Sequence, residues 1–150
     1  MKILYSGFHA FDPPTETAQQ KGCTGYRRYY EPPNVKHARQ FWGVIANLVR
    51  QRMAENGKDI PTCLHVAFCK PLLKKHKNAA SPLWHTNKPD LDNWNKLLQD
   101  CLVDSEVLFD DCKVSRLVLE KFYSCVPGVR ITLGLLDDDD LPELGDLITP

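Results

Sequence analysis

Two aspartates stand two residues apart in Lys88-Pro89-Asp90-Leu91-Asp92-Asn93-Trp94-Asn95-Lys96, and a second acidic pair, Asp110-Asp111, follows Phe109. In an extended segment residues i and i+2 point to the same face, so Asp90 and Asp92 can aim at one ion. The apolar spacing just behind them predicts a helix, whose N-terminal N–H groups and positive dipole end favour ionised carboxylates. Lys96 falls one turn into that helix. Carboxylate oxygens select hard cations such as Mg²⁺ or Mn²⁺. An Asp-x-Asp also serves as a cap or a surface turn, so the reading depends on what surrounds it.

Competing chemistries find little to stand on. A calcium loop starting at Asp90 would put Asn95 where a glycine is needed and Cys101 where a bidentate glutamate is needed. The chain has no P-loop, no Gly-x-Ser-x-Gly and no His-Glu-x-x-His, which removes support for nucleotide cradling, serine hydrolysis and zincin chemistry. Cys63, His65 and Cys69 match no usual zinc spacing. None of the six cysteines forms a Cys-x-x-Cys, so they read as small core hydrophobes and surface thiols rather than a disulfide framework.

The charge balance points to a polyanion. The net charge is zero, but residues 1–88 hold fourteen Lys/Arg against five Asp/Glu, and residues 89–150 hold five against fourteen. Six of those acids lie in the last fourteen residues, which leaves the body net basic, mainly in its first half. No run approaches the roughly 18 apolar residues of a membrane span, and the N-terminus does not read as a signal peptide, so a cytoplasmic protein is expected.

The elements that must position the acids follow from periodicity. Residues 2–8 read as a strand and residues 9–25 as a loop. Tyr26-Arg27-Arg28-Tyr29-Tyr30 reads equally well as an edge strand and as a phosphate-contacting segment with aromatic packing. Asn34 is a suitable N-cap for a helix running through Val35, Ala38, Phe41, Trp42, Ile45, Leu48, Val49 and Met53 to a stop at Asn56-Gly57. Residues 62–69 alternate as a half-buried strand, with His65 opposite Leu64, Val66 and Phe68. The segment 70–89 follows neither period and is rich in lysine, a basic connection leading into the acidic one. Trp94, Leu97, Leu98, Cys101 and Leu102 predict the second amphipathic helix, with Lys96 and Asp100 as i, i+4 neighbours on its polar side. Residues 113–123 and 129–135 predict two strands paired as a hairpin around Pro127-Gly128. The expected fold is α/β (α+β), a single compact domain over residues 1–136 with a mixed sheet of about four strands and two main helices. Residues 137–150 are expected to form an acidic, flexible tail that keeps the chain soluble, docks a protein partner or shields the basic face.

The run Asp90-Leu91-Asp92-Asn93-x-x-Lys96, with Asp110-Asp111 placing Asp111 twenty-one residues after Asp90, resembles the RusA family of Holliday junction resolvases. The upstream order of strand, basic aromatic segment ending in Tyr29-Tyr30-Glu31-Pro32, helix and strand is similar too. The resemblance implies a homodimeric, Mg²⁺-dependent endodeoxyribonuclease of bacterial or phage-type context, with Mn²⁺ as a possible substitute. Its substrate would be branched DNA, the four-way junction, nicked at two sites on opposite sides. Carried onto this sequence, Asp90, Asp92 and Asp111 would bind the metal, Asp110 would be a supporting acid and Lys96 an assisting cation. The candidates for DNA contact are Arg27, Arg28, Lys74, Lys75, Lys77 and Lys88. The alternatives are a nuclease that prefers flaps or other branched DNA, and a catalytically silent branched-DNA-binding module.

Overall fold

The computed structural model describes residues 1–18, 21–23, 29–76 and 81–142. The strands in chain order are β1 (Lys2–Ala10), β2 (Gly22–Cys23), β3 (Tyr29–Tyr30), β4 (Thr62–Pro71), β5 (Leu83–Trp84), β6 (Val114–Ser124) and β7 (Gly128–Leu135). The helices are α1 (Pro33–Arg52) and α2 (Leu91–Asp104). Five strands form one sheet in the order β1-β7-β4-β6-β5, while β2 and β3 form a separate two-stranded ribbon. The sheet is mixed, because β4 and β6 run parallel and the other pairs antiparallel. The α+β class expected from the sequence holds. The fifth sheet strand is the two-residue β5, too short to carry a period, inside the connection that showed none.

Both helices bury their apolar stripes on one face of this sheet. Val35, Ala38, Trp42, Ile45, Ala46 and Val49 of α1 are buried, as are Trp94, Leu97, Leu98, Cys101 and Leu102 of α2. They meet Leu64, Val66 and Phe68 of β4 and Val129, Ile131 and Leu133 of β7. A line of rings joins the layers. Trp42 meets Phe68 edge-on at 5.9 Å, and Phe68 stacks on Trp94 at 4.3 Å. Rings in such offset and edge-on pairs add about 0.5–1.5 kcal/mol each beyond the area they bury.

Three local expectations are corrected. First, β6 and β7 are not a hairpin, because β4 lies between them. On the second face of β4, Cys63 and Ala67 are buried between the neighbouring strands while His65 and Cys69 are partly exposed, as suits a central strand covered by helices on one face only. Second, α1 is capped by Pro32 rather than Asn34 and begins with Pro33 at its first position, where proline's fixed φ and missing N–H are no handicap. Third, Gly57 does not stop α1, which has already ended at Arg52. It packs against the segment that leads to Asp110. Its N–H bonds to Glu106 O at 3.2 Å, and a Cβ there would lie 2.4 Å from the Phe109 nitrogen.

After β7, the Leu136 N–H bonds to Pro61 O at 2.9 Å, and Asp138–Asp140 form a short 3-10 turn. Arg116 holds the Asp140 carbonyl at 2.8 Å, which seats this acidic stretch beside the start of β6. Residues 143–150 lie outside the described residues. No described helix is long and apolar enough to cross a membrane.

Candidate active site

The chain passes from β4 through α2 to the parallel β6. Two groups of acids therefore come to opposite ends of α2. At the near end, a network from β6 holds the segment that delivers Asp90. The Lys121 ammonium donates to the carbonyls of Asn87 and Pro89, both at 2.8 Å. Tyr123 accepts through its hydroxyl from the Asn87 amide at 2.8 Å. The His85 N–H bonds to Lys121 O at 3.2 Å, and its ring lies between Tyr123, at 4.4 Å, and Trp94, at 6.1 Å. Burial pushes the His85 pKa below its usual value, and the Lys121 charge adds to this.

Asp90 is the N-cap residue of α2, with extended backbone (φ −66°, ψ 142°). Its carbonyl accepts the Trp94 N–H at 2.9 Å, but its carboxylate makes no capping bond. An exposed acid is thus left uncommitted beside the free N–H groups of a helix start. The Trp94 indole N–H bonds to Pro14 O at 2.6 Å and draws the loop after β1 over this end. Together they make a cleft of about 420 Å³ lined by Thr15, Thr17, Lys88, Pro89, Asp90 and Asn93. Asp92 lies in the first turn of α2 rather than in an extended segment. Its proximity to Asp90 therefore comes from the helix start, not from strand alternation.

Asp92, Lys96, Asp100 and Asp104 recur every four residues along one polar stripe of α2. Lys96 is exposed and its ammonium lies 3.6 Å from Asp100, as the i, i+4 spacing predicts. The stripe leads to the far group. Asp110 and Asp111 line a second cleft, of about 360 Å³, with Asp100, Val103, Asp104 and Arg39. Arg39 also reaches Glu31 at 2.9 Å and Asp100 at 3.8 Å. Asp110 accepts the Cys112 N–H at 2.9 Å and caps the short turn Asp111–Lys113, a bond that pushes its carboxyl pKa down.

At 1.5 Å per residue the fourteen residues of α2 span about 20 Å, and Asp100 of the second cleft lies about 12 Å along the helix from Asp92. Carboxylate oxygens are the right donors for a hard divalent ion. Yet among the described residues no three His, Cys, Asp or Glu side chains are grouped to hold a metal. The acids of one chain do not by themselves fit a three-carboxylate site.

Of the basic candidates, Lys88 lines the Asp90 cleft. Lys74 and Lys75 are exposed in a short turn after β4 whose third residue, His76, packs its ring on Tyr123 at 5.0 Å. All three lie at the near end. Arg27, Arg28 and Lys77 lie outside the described residues. Sequence reasoning missed Lys121, Tyr123, His85 and Asn87. A signal for Lys121 existed: Leu119, Lys121 and Tyr123 alternate on one side of β6, which places a charge between two at least partly buried positions.

The family model described as "Endodeoxyribonuclease RusA" matches residues 12–134. The chain belongs to the RusA family. It is also similar to the uncharacterized protein YqaN of Bacillus subtilis (strain 168), at 26% identity over 136 residues, covering 84% of this chain and 93% of that one. The RusA match spans both clefts, the parallel pair β4 and β6, and the segment that Lys121 holds. RusA membership supports an endonuclease that acts on DNA junctions.

Proposed function

We propose that this protein is a divalent-metal-dependent Holliday junction resolvase that works as a homodimer, with Mg²⁺ as its ion. One observation carries the reading. The uncommitted carboxylate of Asp90 lies at a helix start beside Lys88, at the end of the fold that also bears Lys74 and Lys75. A phosphodiester approaching there meets positive charge first and carboxylates at the point of attack. Open α/β sheets commonly place their sites at this position, beyond the carboxyl ends of parallel strands.

The roles follow from the charges. Lys74, Lys75 and Lys88 neutralise backbone phosphates and make binding salt-dependent. The Thr15 and Thr17 hydroxyls and the N–H groups of the first turn of α2 can hydrogen-bond phosphate oxygens. Lys96, one turn after Asp92, offsets charge that develops on the phosphate. A divalent ion, if held there, would supply activation of water and stabilisation of the leaving alkoxide. Asp90 and Asp92 would be its ligands at this end of α2, and Asp111, with Asp110 in support, is the third carboxylate that the motif implies, offered from the second cleft. Residues 1–136 form the nuclease domain in this reading, and the acidic end beyond it is a separate segment.

A second reading has a specific observation in its favour. Acids divided between the two ends of α2 are also what a catalytically silent branched-DNA-binding module would carry. Substrate comparison tests both readings. Four-way junction, flap and linear duplex are incubated with the protein at one salt concentration, with Mg²⁺ and with EDTA. The proposal expects cleavage of the junction in Mg²⁺ alone. Preferential cutting of flaps would reassign the substrate, and tight junction binding without cleavage in Mg²⁺ or Mn²⁺ would favour the silent module.

A further inference from the structure

Both helices pack on one face of the sheet, and no described helix packs on the other. The register fixes that second face. Arg116, Val118, Glu120 and Phe122 of β6 stand level with Cys63, His65, Ala67 and Cys69 of β4, and Phe8 of β1 stands level with Arg130 of β7. A sheet face left to water is ordinarily polar. Here Ile3, Phe8 and Val118 are 48%, 36% and 39% exposed, and Trp84, packed on Phe122 at 4.9 Å, is 71% exposed at the rim. A shallow cavity of about 400 Å³ opens between Phe8, Phe122 and Val126 and meets Cys69 and Arg130. His65 and Glu120 pair with each other at 2.8 Å, whereas among the described residues no acid pairs with the exposed Arg130.

We propose that Glu143-Leu144-Gly145-Asp146-Leu147-Ile148-Thr149-Pro150 runs along this face as an extended segment and covers it. The chain already arrives at the right place. Arg116, at the lower end of the face, donates to the Asp140 carbonyl at 2.8 Å. The Met1 ammonium holds the Asp140 carboxylate at 2.8 Å, and the Met1 side chain lies over Gly134 on the same face. Leu141 follows, 70% exposed.

Length and chemistry fit as well. At roughly 3.3 Å per residue the eight residues after Pro142 reach about 26 Å, and the six steps of β6 from Arg116 to Phe122 span about 20 Å. In an extended segment Leu144, Asp146 and Ile148 share one side, an acid between two apolar side chains. The face offers the same order. Arg130 is level with Ala67 and Glu120, so it lies one step beyond Val118 and one before Phe122. Glu120 does not repel the incoming acid strongly, because His65 already holds it. Tethering at the rim gives the segment an effective concentration on the order of millimolar, ahead of a separate partner. The inference concerns the face away from the helices and does not rest on the resolvase reading.

Cys69, partly exposed beside the cavity, reports on the cover. In the full chain with Cys23, Cys112 and Cys125 replaced by serine, its reaction with a maleimide is expected to be at least tenfold slower than after deletion of residues 143–150. Arg130→Glu, which removes no residue, is expected to speed the reaction in the full chain. Loss of the arginine charge alone would act the other way, because that charge lowers the Cys69 thiol pKa. The buried Cys63 and Cys101 stay unlabelled while the fold is intact. Ile148→Cys in the same background is expected to form a disulfide with Cys69 within one chain, at a rate independent of protein concentration. With Cys69→Ser added and Val44→Cys placed on the exposed side of α1, residue 148 is expected to form none. Equal labelling of Cys69 in the full and shortened chains would overturn the proposal. So would protection of Cys69 that disappears on dilution, which would give the face to a second copy.

Discussion

Replacing Lys121 by methionine keeps the side-chain stem and removes the charge that holds two carbonyls of the Asp90 segment. The two bonds, each 2.8 Å, differ in surroundings. The one to Asn87 O is exposed and water can replace it, whereas the one to Pro89 O is partly buried on a buried residue. A hydrogen bond to a charged group contributes about 1.5–3 kcal/mol. With one of the two rehydrated, the expected loss is about 2 kcal/mol of stability. For a domain of this size that lowers Tm by about 4–8 °C. The same bonds set the entry of the chain into α2, and a shift of about 1 Å at reacting groups costs up to about a hundredfold in rate. Cleavage of a labelled junction by Lys121→Met should therefore fall at least tenfold while junction affinity stays within about threefold. A Tm within about 1 °C of wild type, with cleavage unchanged, would refute the claim that Lys121 positions the site.

Other consequences can be measured directly. His9 and His85 are buried with pKa values below the usual one, chiefly from desolvation, so the unfolded chain takes up protons before the folded one does. Their contribution is complete above about pH 6.5 and is lost as pH falls below it, by at most about 1.4 kcal/mol per pH unit for each histidine. Urea unfolding at pH 7.5 and 5.5 checks this, and His85→Phe should flatten the dependence. Phe68→Ala removes the ring between Trp42 and Trp94 and should cost about 3–5 kcal/mol, read as a lower urea midpoint at unchanged slope. Junction affinity should fall steeply with salt, and replacing Lys74, Lys75 or Lys88 by alanine should each reduce the slope of log K against log salt by about one.

Much of the fold could be read from the sequence, because α1, α2 and the central strands bury regular stripes. Leu64, Val66 and Phe68 are fully buried as their alternation predicts, and His65 faces the other way to bond Glu120 at 2.8 Å. The errors came where periodicity carries no information. Alternation identifies β6 and β7 as strands but does not say that β4 lies between them, and two residues of β5 have no period at all. The site was legible in residue type and only partly in space. The interval from Asp90 to Asp111 contains a fourteen-residue helix, so the chain leaves one end of α2 and arrives at the other. Reading the spacing as a marker of one site passed over that geometry. Lys121 escaped notice for a related reason: its partners are backbone carbonyls, which no sequence pattern displays.

The central claim, that Asp90 and Asp92 serve hydrolysis of junction DNA, is tested most directly by incubating a labelled four-way junction and Mg²⁺ with wild type beside Asp92→Asn. The account predicts paired nicks from the wild type and none from Asp92→Asn, which remains folded and junction-bound. Equal cleavage by the two proteins, or none by either while both stay folded and bound, would contradict it.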